Sequence, residues 1–419
     1  MQVFMKNISF RRLMYSNILN NLGTAFFSIV FLIYASKMPN PKLAVSAVSI
    51  IGTLPFLTDV VSGYLADHTK QVYNKILLSR LSQVVLFLIL SFFIGMDRSW
   101  TLFGFILILN FVCDFLGNYG GYLTLPIFKH IVNDDDMAEA NGFVGGTRQS
   151  IELIGGMLGA SLLALLNQSF VFFAVLNAMT FLLSFLIFKF SAKRFAFSRP
   201  SSQIRPTNEA KKTKNHFIQD VKNNFQNLKK YPQFFHFTVL FALMNFMGSA
   251  QEVLVSLTML KVKNLIIFNY GFTIALIGAV MSGGIILGSF FTLPILKKIS
   301  IETSLVVEML FIILFMTNMV ILNNRFIMLG SLLLGGYMMG VSNPKIQAFM
   351  MKIIPDEHLG TVMSSFNSLI TITIPLGSIV AASLGNLENI MYAWMLFIAI
   401  GAFGFVYSLK LLKNYRTFA

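Results

Sequence analysis

Long apolar runs are the feature that most limits how this chain can fold. A helix that crosses the hydrocarbon core of a bilayer needs about 20 consecutive and mostly apolar residues. Because a backbone surrounded by lipid must satisfy its own hydrogen bonds, such runs predict transmembrane helices and an all-α membrane protein. Twelve segments qualify, at about 13–36, 44–66, 76–96, 100–126, 142–166, 169–190, 233–258, 269–294, 302–322, 326–351, 359–385 and 390–412.

The composition agrees with this assignment. The chain has 419 residues, of which 56% are hydrophobic and only 12% are charged, whereas a soluble domain carries about 25% charged residues. The single cysteine, Cys113, lies within an apolar run and has no partner for an intrachain disulfide. A secreted domain that depends on disulfides is therefore excluded.

Lysine and arginine are distributed unevenly between the two predicted sides of the membrane. Placing the N-terminus in the cytoplasm puts 24 of the 32 on the inner side and 6 on the outer side, with Arg148 and Lys345 at membrane depth. Cytoplasmic loops are enriched in these residues. We therefore predict a multi-pass protein of the cell membrane with both termini in the cytoplasm. The net charge of +15 follows from this orientation, and no nucleic acid partner is expected.

A polar and basic segment separates the first six runs from the last six. It covers about 191–232 and divides the chain into an N-terminal half, 1–190, and a C-terminal half, 233–419. Within this linker, 215–231 places apolar residues at helical spacing among lysines, which predicts an amphipathic helix on the inner membrane surface. A soluble linker helix is the alternative.

The two halves also resemble repeats. When the chain is laid over itself so that Gly155 falls on Gly377, Ala160 falls on Ala382 and four more identities lie nearby. Six-helix halves related by an axis along the membrane normal are a transporter architecture, with the substrate site near the midplane between them. Gly155 and Gly159 also share a helix face, which favours close packing either between the halves or within one.

The loop after the second run carries the motif Gly63-Tyr-Leu-Ala-Asp67-His-Thr-Lys70. It resembles the loop signature of the major facilitator superfamily, which has a glycine, then Ala-Asp and then basic residues, although His68 stands where arginine is usual. The resemblance implies an inner gate at Gly63, Asp67 and Lys70. Asp59 lies about 12 Å deeper on nearly the same helix face and is expected to join that gate.

Further stretches resemble one branch of that superfamily, the macrolide-efflux-like drug:proton antiporters. The resemblance extends over essentially the whole chain and implies the major facilitator fold, efflux by proton antiport and a role in drug resistance. Met157 and Thr361 depart from the pattern of the branch. The stretches are Ala138-Glu-Ala-Asn141-Gly142, Arg148-Gln-Ser, Gly155-Gly-Met-Leu-Gly159, Gly336-Tyr-Met-Met-Gly340-Val-Ser-Asn343, Ile354-Pro355-Asp-Glu-His-Leu-Gly360-Thr-Val362 and Pro375-Leu-Gly377.

Ionisable residues inside the apolar runs are the candidates for function. Each costs at least about 2.5–3.5 kcal/mol at membrane depth and so needs a partner, water or a task. We predict that Asp114, Glu252, Glu152 and Arg148 carry the coupling proton or bind substrate, because the fourth and seventh spans line the cavity of the resembled fold. Arg148 and Glu152 are four residues apart and neutralise each other in the alternative interpretation. A tie to a neighbouring helix is the alternative for Asp114, and an outer-gate contact for Glu252.

Polar side chains in other spans are predicted to line the cavity. Asn17 and Asn21 lie one helical turn apart in the first span, and Asn118 follows Asp114 by about a turn. Hydrogen bonds between helices are the alternative for these amides. Lys345 is assigned to the cavity or to an inner gate network, and the alternative is an extended side chain that reaches the inner membrane surface.

The sequence contains no nucleotide-binding Gly-x-x-x-x-Gly-Lys-Ser/Thr motif, no Gly-x-Ser-x-Gly element and no clustered histidines. We therefore expect no enzyme activity, no cofactor and no metal. The predicted function is secondary active transport in the lipid bilayer, with proton-coupled efflux of a small amphipathic compound by a monomer that works by alternating access. An importer or a lipid or peptide translocator of the same fold is one alternative, and a non-transporting receptor or partner subunit is another.

Overall fold

The computed structural model describes residues 2–67, 69–133, 136–191, 232–353, 366–387 and 389–414. The chain forms two compact units, the first from 1–44 and 51–205 and the second from 45–50 and 206–419. The predicted amphipathic helix of the linker and the motif at 354–362 lie outside the described residues.

The first described part of the chain, up to residue 191, is a succession of long helices. The chain enters them through one short helical turn. The helices are α1 (Gln2–Lys6), α2 (Ile8–Ala35), α3 (Pro41–Asp67), α4 (Val72–Ile94), α5 (Trp100–Ile131), α6 (Met137–Leu165) and α7 (Phe170–Phe190).

The second described part, from residue 232, is also helical. A 3-10 turn at Lys263–Leu265 and a π turn at Asn318–Leu322 lie at the ends of long helices. The helices are α8 (Pro232–Thr258), α9 (Tyr270–Phe290), α10 (Pro294–Lys297), α11 (Ile301–Thr317), α12 (Arg325–Ile353), α13 (Thr373–Gly385) and α14 (Met391–Asn414).

Ten of the described helices are long and apolar enough to cross a membrane. The predicted number of twelve is not confirmed: within their described residues, α3 and α6, which have 27 and 29 residues, contribute shorter apolar stretches. Those stretches are Pro41–Pro55 and Ile154–Leu165.

Short polar residues fix where several helices begin. The side-chain oxygens of Asn7, Ser99 and Ser169 accept hydrogen bonds from the backbone N–H three residues later, and they start α2, α5 and α7. Asn269 and Ser300 do the same for α9 and α11. The first N–H groups of a helix have no partner within it, and these residue types supply one.

The core of the first unit is aromatic. Phe27 of α2 packs edge-on against Phe87 of α4, with ring centroids 4.7 Å apart, and Phe87 also contacts Phe181 of α7 at 5.2 Å. All three side chains are almost completely buried. Such rings bury large apolar areas and hold α2, α4 and α7 together.

Glycines hold α9 and α12 of the second unit in direct backbone contact. A Cβ atom on Gly284 or Gly288 of α9 would overlap the carbonyl oxygen of Leu333 or Tyr337 in α12. A Cβ atom on Gly336 or Gly340 of α12 would overlap the carbonyl oxygen of Met281 or Ile285 in α9. Two small-residue stripes therefore face each other, and only glycine fits at these positions.

Gly155 and Gly377, which the predicted repeat aligns, each pack against another helix of their own unit. Gly155 of α6 lies against Ala25 of α2, where an added Cβ would come within 2.9 Å of the alanine Cβ. Gly377 of α13, its counterpart in the repeat, lies against the carbonyl oxygen of Phe246 in α8. Gly159 also meets α2, at the backbone of Phe26. Of the two packing alternatives for Gly155 and Gly159, the described contacts are those within the first unit.

Candidate functional site

Asp114 is a half-buried carboxylate on α5, within a long apolar helix. Its Oδ2 atom accepts a hydrogen bond of 3.0 Å from the amide of Asn110, one turn earlier on the same helix. No other hydrogen bond and no ion pair connects this carboxylate to the described residues. The tie to a neighbouring helix, which was the structural alternative for Asp114, is therefore not seen in the described part of the first unit.

Arg80 is a buried cation that the sequence did not single out. It lies on α4, and only 4% of its surface is exposed. Its guanidinium donates to the side-chain oxygen of Asn17 on α2 at 2.8 Å and to the carbonyl oxygen of Ser184 on α7 at 3.2 Å. The guanidinium also lies 4.6 Å from the ring centroid of Phe188. Arg80 thus links three helices of the first unit through neutral groups.

The position of Arg80 within α4 bears on the charge count made from the sequence. That count assigns it to the cytoplasmic side, but it lies eight residues inside α4, which places it about 12 Å from the start of that helix. Arg80 therefore lies within an apolar helix, as Arg148 and Lys345 were predicted to do. The signal is present in the sequence, since Arg80 follows Ile76, Leu77 and Leu78 and precedes a long apolar run.

Three buried amides lie in the core of the first unit, and one of them, Gln83, follows Arg80 by three residues on α4. Gln83 donates from its side-chain nitrogen to the carbonyl oxygen of Cys113 at 3.2 Å, but its own amide oxygen has no partner among the described residues. The side-chain oxygens of Asn20 and Asn177 are also buried and unpartnered there. Gly117 of α5 leaves room for the amides of Gln83 and Asn20. Unpaired buried acceptors are costly, so this region is suited to ordered water.

The predicted cavity residues of the first unit have different environments. Asn17 is half-buried and accepts from Arg80, as the interhelical alternative proposed. Asn21 is exposed on α2. Asn118 is half-buried on α5, and Arg148 is exposed on α6. Glu152 lies on α6, but its side chain is outside the described part of the structure.

The predicted inner gate is described only in part. Asp59 and Asp67 lie on α3, but their side chains and His68 are outside the described residues. Gly63 is half-buried, with open space where a Cβ would stand. Lys70 lines an open cavity of about 470 Å³ beside Thr69, whose hydroxyl contacts that of Tyr119 at 2.7 Å.

Glu252 is an exposed carboxylate on α8 of the second unit. Its carboxylate has no hydrogen bond or ion pair with the described residues, and its backbone oxygen accepts from the hydroxyl of Ser256. The turn before it is where α8 meets α13, because Gly377 lies against Phe246 and Ser249. Gly248 itself has open space around it. Close helix packing thus positions Glu252, while its side chain stays on the surface of the unit.

Glu308 is a second buried charge-bearing residue that the sequence reasoning missed. It lies on α11 with 5% of its surface exposed. Its Oε2 atom accepts a hydrogen bond of 3.0 Å from the hydroxyl of Ser342 on α12, which is fully buried. No cation pairs with Glu308 among the described residues. An acid in the middle of an apolar run is the signal that identifies it.

Lys345 lies on α12 and forms hydrogen bonds with the connection between α9 and α11. Its ammonium donates to the carbonyl oxygen of Leu296 at 2.8 Å and to that of Ile299 at 2.7 Å. These carbonyls lie at the end of the short helix α10, where a cation is favourable. Next to Lys345, α12 contains Pro344, which cannot donate to the carbonyl of Gly340. The hydroxyl of Ser289 on α9 donates to that carbonyl instead, at 3.2 Å.

Comparison with known proteins identifies the family. The sequence profile of the Major Facilitator Superfamily matches residues 13–378. No curated protein sequence matches the chain. Among solved structures, a peptide transporter of the POT family in complex with alafosfalin is 13% identical, with a TM-score of 0.71 over 96% of this chain and 93% of that one.

Two other solved structures are similar to the same degree. A POT-family transporter in complex with 5-aminolevulinic acid is 12% identical, with a TM-score of 0.69 over 96% of this chain and 95% of that one. An auto-inhibited POT-family peptide transporter is 12% identical, with a TM-score of 0.70 over 98% and 97% of the two chains. At this identity the likeness shows the fold. With the family match over most of its length, the chain belongs to the Major Facilitator Superfamily and is a secondary transporter, not an enzyme.

Proposed function

We propose that this transporter couples movement of a small amphipathic compound to protons, and that Asp114 carries the coupling proton. The observation that supports this most is the isolation of the Asp114 carboxylate. It lies on an otherwise apolar helix, and its partner among the described residues is the neutral amide of Asn110. A membrane-depth carboxylate without a cation is a site for function rather than for structural pairing.

The chemistry follows from desolvation. A carboxylate that loses water without gaining a cation is unfavourable, and a proton neutralises it. When the site opens to water or to a cationic solute, the charged form is favoured again. Asp114 therefore exchanges a proton for solvent or solute as its surroundings change, which is the step that alternating access requires.

Glu252 is the second proposed acid, in the second unit. Its exposed carboxylate has no partner among the described residues, so it is available to a cationic group of the solute. Arg148 on α6 is exposed too and carries the opposite charge. Glu252 and Arg148 are thus exposed groups of opposite charge, one in each unit. Such groups suit an amphipathic solute that carries charge as well as apolar surface.

Two forms of this function differ in direction. The sequence motifs favour efflux by antiport, as in the drug:proton antiporters they resemble. The solved structures that are similar include peptide transporters, one of them with a bound peptide conjugate, which favours uptake of a small peptide-like compound. We keep uptake of such a compound as the second candidate, because it uses the same acids with the opposite direction of solute movement.

The test is transport into proteoliposomes with an imposed pH gradient. We expect a proton gradient to drive solute movement in the native protein, and Asp114→Asn to reduce it at least about tenfold, an effect of about 1.4 kcal/mol or more. Asp97→Asn is the matched control, because Asp97 is an exposed acid in the connection between α4 and α5. Full gradient-driven transport in Asp114→Asn would contradict the assignment of the coupling proton to Asp114, and the same result in Glu252→Gln would remove Glu252 as the second acid.

Direction is measured in the same vesicles by reversing the gradient. Antiport moves the solute against the direction of the protons, and symport moves it with them. Tetraphenylphosphonium serves as the amphipathic cation, and a labelled dipeptide serves as the peptide-like probe. Accumulation of the dipeptide in the direction of proton flow selects uptake, and movement of the cation against it selects efflux.

A further inference from the structure

We propose that a cationic cavity at one end of the second unit binds the headgroup of an anionic phospholipid. The cavity lies between the 3-10 turn that follows α8 and the connection from α11 to α12, and its volume is about 420 Å³. It is open on one side. Its lining residues are Lys263, Asn264, Ile266, Asn323, Asn324, Arg325 and Phe326.

The lining has the charge that a phosphodiester needs. It contains two cations and three carboxamide side chains, and it contains no acid. Lys263 is exposed, and its ammonium makes no hydrogen bond or ion pair with the described residues. Arg325 is exposed too, and its guanidinium lies 5.5 Å from the ring centroid of Phe326. Both cations are thus available to a ligand.

Hydrogen bonds hold part of the backbone around the cavity in place. The side-chain oxygen of Asn324 accepts from the N–H groups of Phe326 and Ile327, at 2.8 and 3.3 Å, and so caps the start of α12. Asn318 holds Asn324 by two hydrogen bonds, of 3.0 Å to its carbonyl oxygen and 3.1 Å from its N–H. Two N–H groups of the helix start are therefore already occupied, and the charge that attracts an anion comes from Lys263 and Arg325.

Apolar side chains beside the cavity indicate a lipid rather than a free anion. Ile321, Leu322 and Phe326 flank the connection, and each exposes more than half of its surface. Phe268, just before α9, is 90% exposed. Connections between membrane-spanning helices lie at the depth of the headgroups, where aromatic rings are enriched. A phospholipid satisfies both features, with its phosphate on the cations and its acyl chains along the apolar residues.

The outer cations of the first unit show the contrast. Arg98 donates to the carbonyl oxygen of Lys37 at 3.1 Å and lies 5.8 Å from the ring centroid of Tyr34. Lys37 bonds to the side chain of Gln168 and lies 5.2 Å from the ring centroid of Phe170. Arg98 and Lys37 thus donate hydrogen bonds to groups of their own unit, whereas the side chains of Lys263 and Arg325 make none with the described residues. The difference supplies a control.

The experiment is native mass spectrometry of the full chain, released from nanodiscs that contain phosphatidylglycerol or phosphatidylcholine. We compare the native protein with Lys263→Gln/Arg325→Gln. The matched control is Lys261→Gln/Arg98→Gln, which removes two cations from the same predicted side but outside the cavity lining. Because each cation near an anionic lipid contributes about 1 kcal/mol, we expect the affinity for phosphatidylglycerol to fall about thirtyfold in the cavity variant. The control variant should change it less than threefold.

Three results would overturn the proposal. The first is equal retention of phosphatidylglycerol by the native protein and the cavity variant. The second is retention of phosphatidylcholine as strong as that of phosphatidylglycerol, which would show that the negative charge is not recognised. The third is displacement of the bound lipid by millimolar inorganic phosphate, which would identify a free-anion site. Thermal unfolding of all variants in phosphatidylcholine nanodiscs checks that each is folded, independently of the lipid measured.

Discussion

Each unit buries a charge-bearing side chain on its third long helix, a cation in the first unit and an acid in the second. The two differ in how many partners they have. Arg80 lies on α4 and Glu308 on α11, each the third long helix of its unit, at eight and seven residues from the helix start. Arg80 is held by Asn17, the carbonyl of Ser184 and the ring of Phe188. Glu308 has one hydroxyl partner, Ser342, among the described residues. The several contacts of Arg80 hold its charged form in place, whereas Glu308, with one hydrogen-bond partner in the described part of the chain, can take up a proton and lose its charge.

The units also differ in how their helices are joined. In the first unit, polar side chains connect α2, α4 and α7, since the hydroxyls of Ser16 and Ser184 each bond the other's carbonyl, at 2.6 and 2.7 Å, beside the Arg80 contacts. In the second unit, α9 and α12 meet backbone to backbone through Gly284, Gly288, Gly336 and Gly340. The first unit should therefore be sensitive to loss of donors, and the second to added volume.

The largest effect is expected at the glycine contact. Gly340→Ala places a methyl group on the carbonyl oxygen of Ile285, and we expect a loss of about 2–3 kcal/mol of unfolding free energy because backbone cannot move aside as a side chain can. Gly330→Ala, on the same helix but in open space, is the control and should be neutral or stabilising by up to about 1 kcal/mol. Unfolding of both variants in one detergent gives the comparison. Equal midpoints for the two would show that α9 and α12 separate readily.

Arg80→Lys tests the polar core of the first unit with the charge retained. Lysine cannot reproduce the fork that bonds Asn17 and Ser184 together, nor stack flat on Phe188, so we expect a loss of about 2 kcal/mol. Lys75→Arg is the control, as an exposed swap on the same helix, with an expected change below about 0.5 kcal/mol. If Arg80→Lys is as mild as the control, the charge alone matters and the bonding geometry does not.

Glu308 should tolerate loss of its charge better than Arg80 tolerates a change of shape. Glu308→Gln keeps the volume and an acceptor for Ser342, and we expect it to cost less than about 1 kcal/mol. Ser342→Ala removes the hydrogen bond and leaves the acid unpaired, at about 1–2 kcal/mol. Unfolding free energies of the two variants decide the order. A larger cost for Glu308→Gln would mean that the carboxylate charge itself stabilises the second unit.

The smallest effect concerns Lys37 and Arg98, two cations of the first unit that the sequence predicts to lie on the outer side. Partial burial, and then the nearby Arg98 charge, lower the pKa of Lys37. Arg98→Gln removes the second cause, so the pKa of Lys37 should rise without reaching its ordinary value. Titration of reductively methylated lysines by carbon NMR follows this directly. A fall in the pKa of Lys37, or none at all, would show that Arg98 does not act on it through charge.

The sequence predicted features that arise locally and from composition. Long apolar runs identified an all-α membrane protein, and Gly155 and Gly377, which the sequence aligns, each lie against another helix of their own unit. These features depend on residue type and spacing. The helix starts at Asn7 and Ser300 are equally local, since each cap lies three residues from the N–H it bonds.

The candidate site was harder to predict, because partners come from distant helices. The charge count assigns Arg80 to the cytoplasmic side, since averaging over an apolar window hides one charge and does not give its depth. Its partners Asn17 and Ser184 are 63 and 104 residues away in sequence. For Glu308 the local signal, an acid within an apolar run, was overlooked, and its partner Ser342, 34 residues away, could not be inferred from the sequence. Asp114 was predicted, because an acid beside Asn110 in an apolar run is visible without a fold.

The central claim is that Asp114 carries the coupling proton, and one measurement separates this role from substrate binding. Counterflow exchanges labelled for unlabelled solute across the membrane without net proton movement. We predict that Asp114→Asn abolishes gradient-driven accumulation in proteoliposomes but retains counterflow at a rate within about threefold of the native protein. Loss of both activities would make Asp114 a binding or structural residue. Retention of gradient-driven accumulation would place the coupling proton elsewhere.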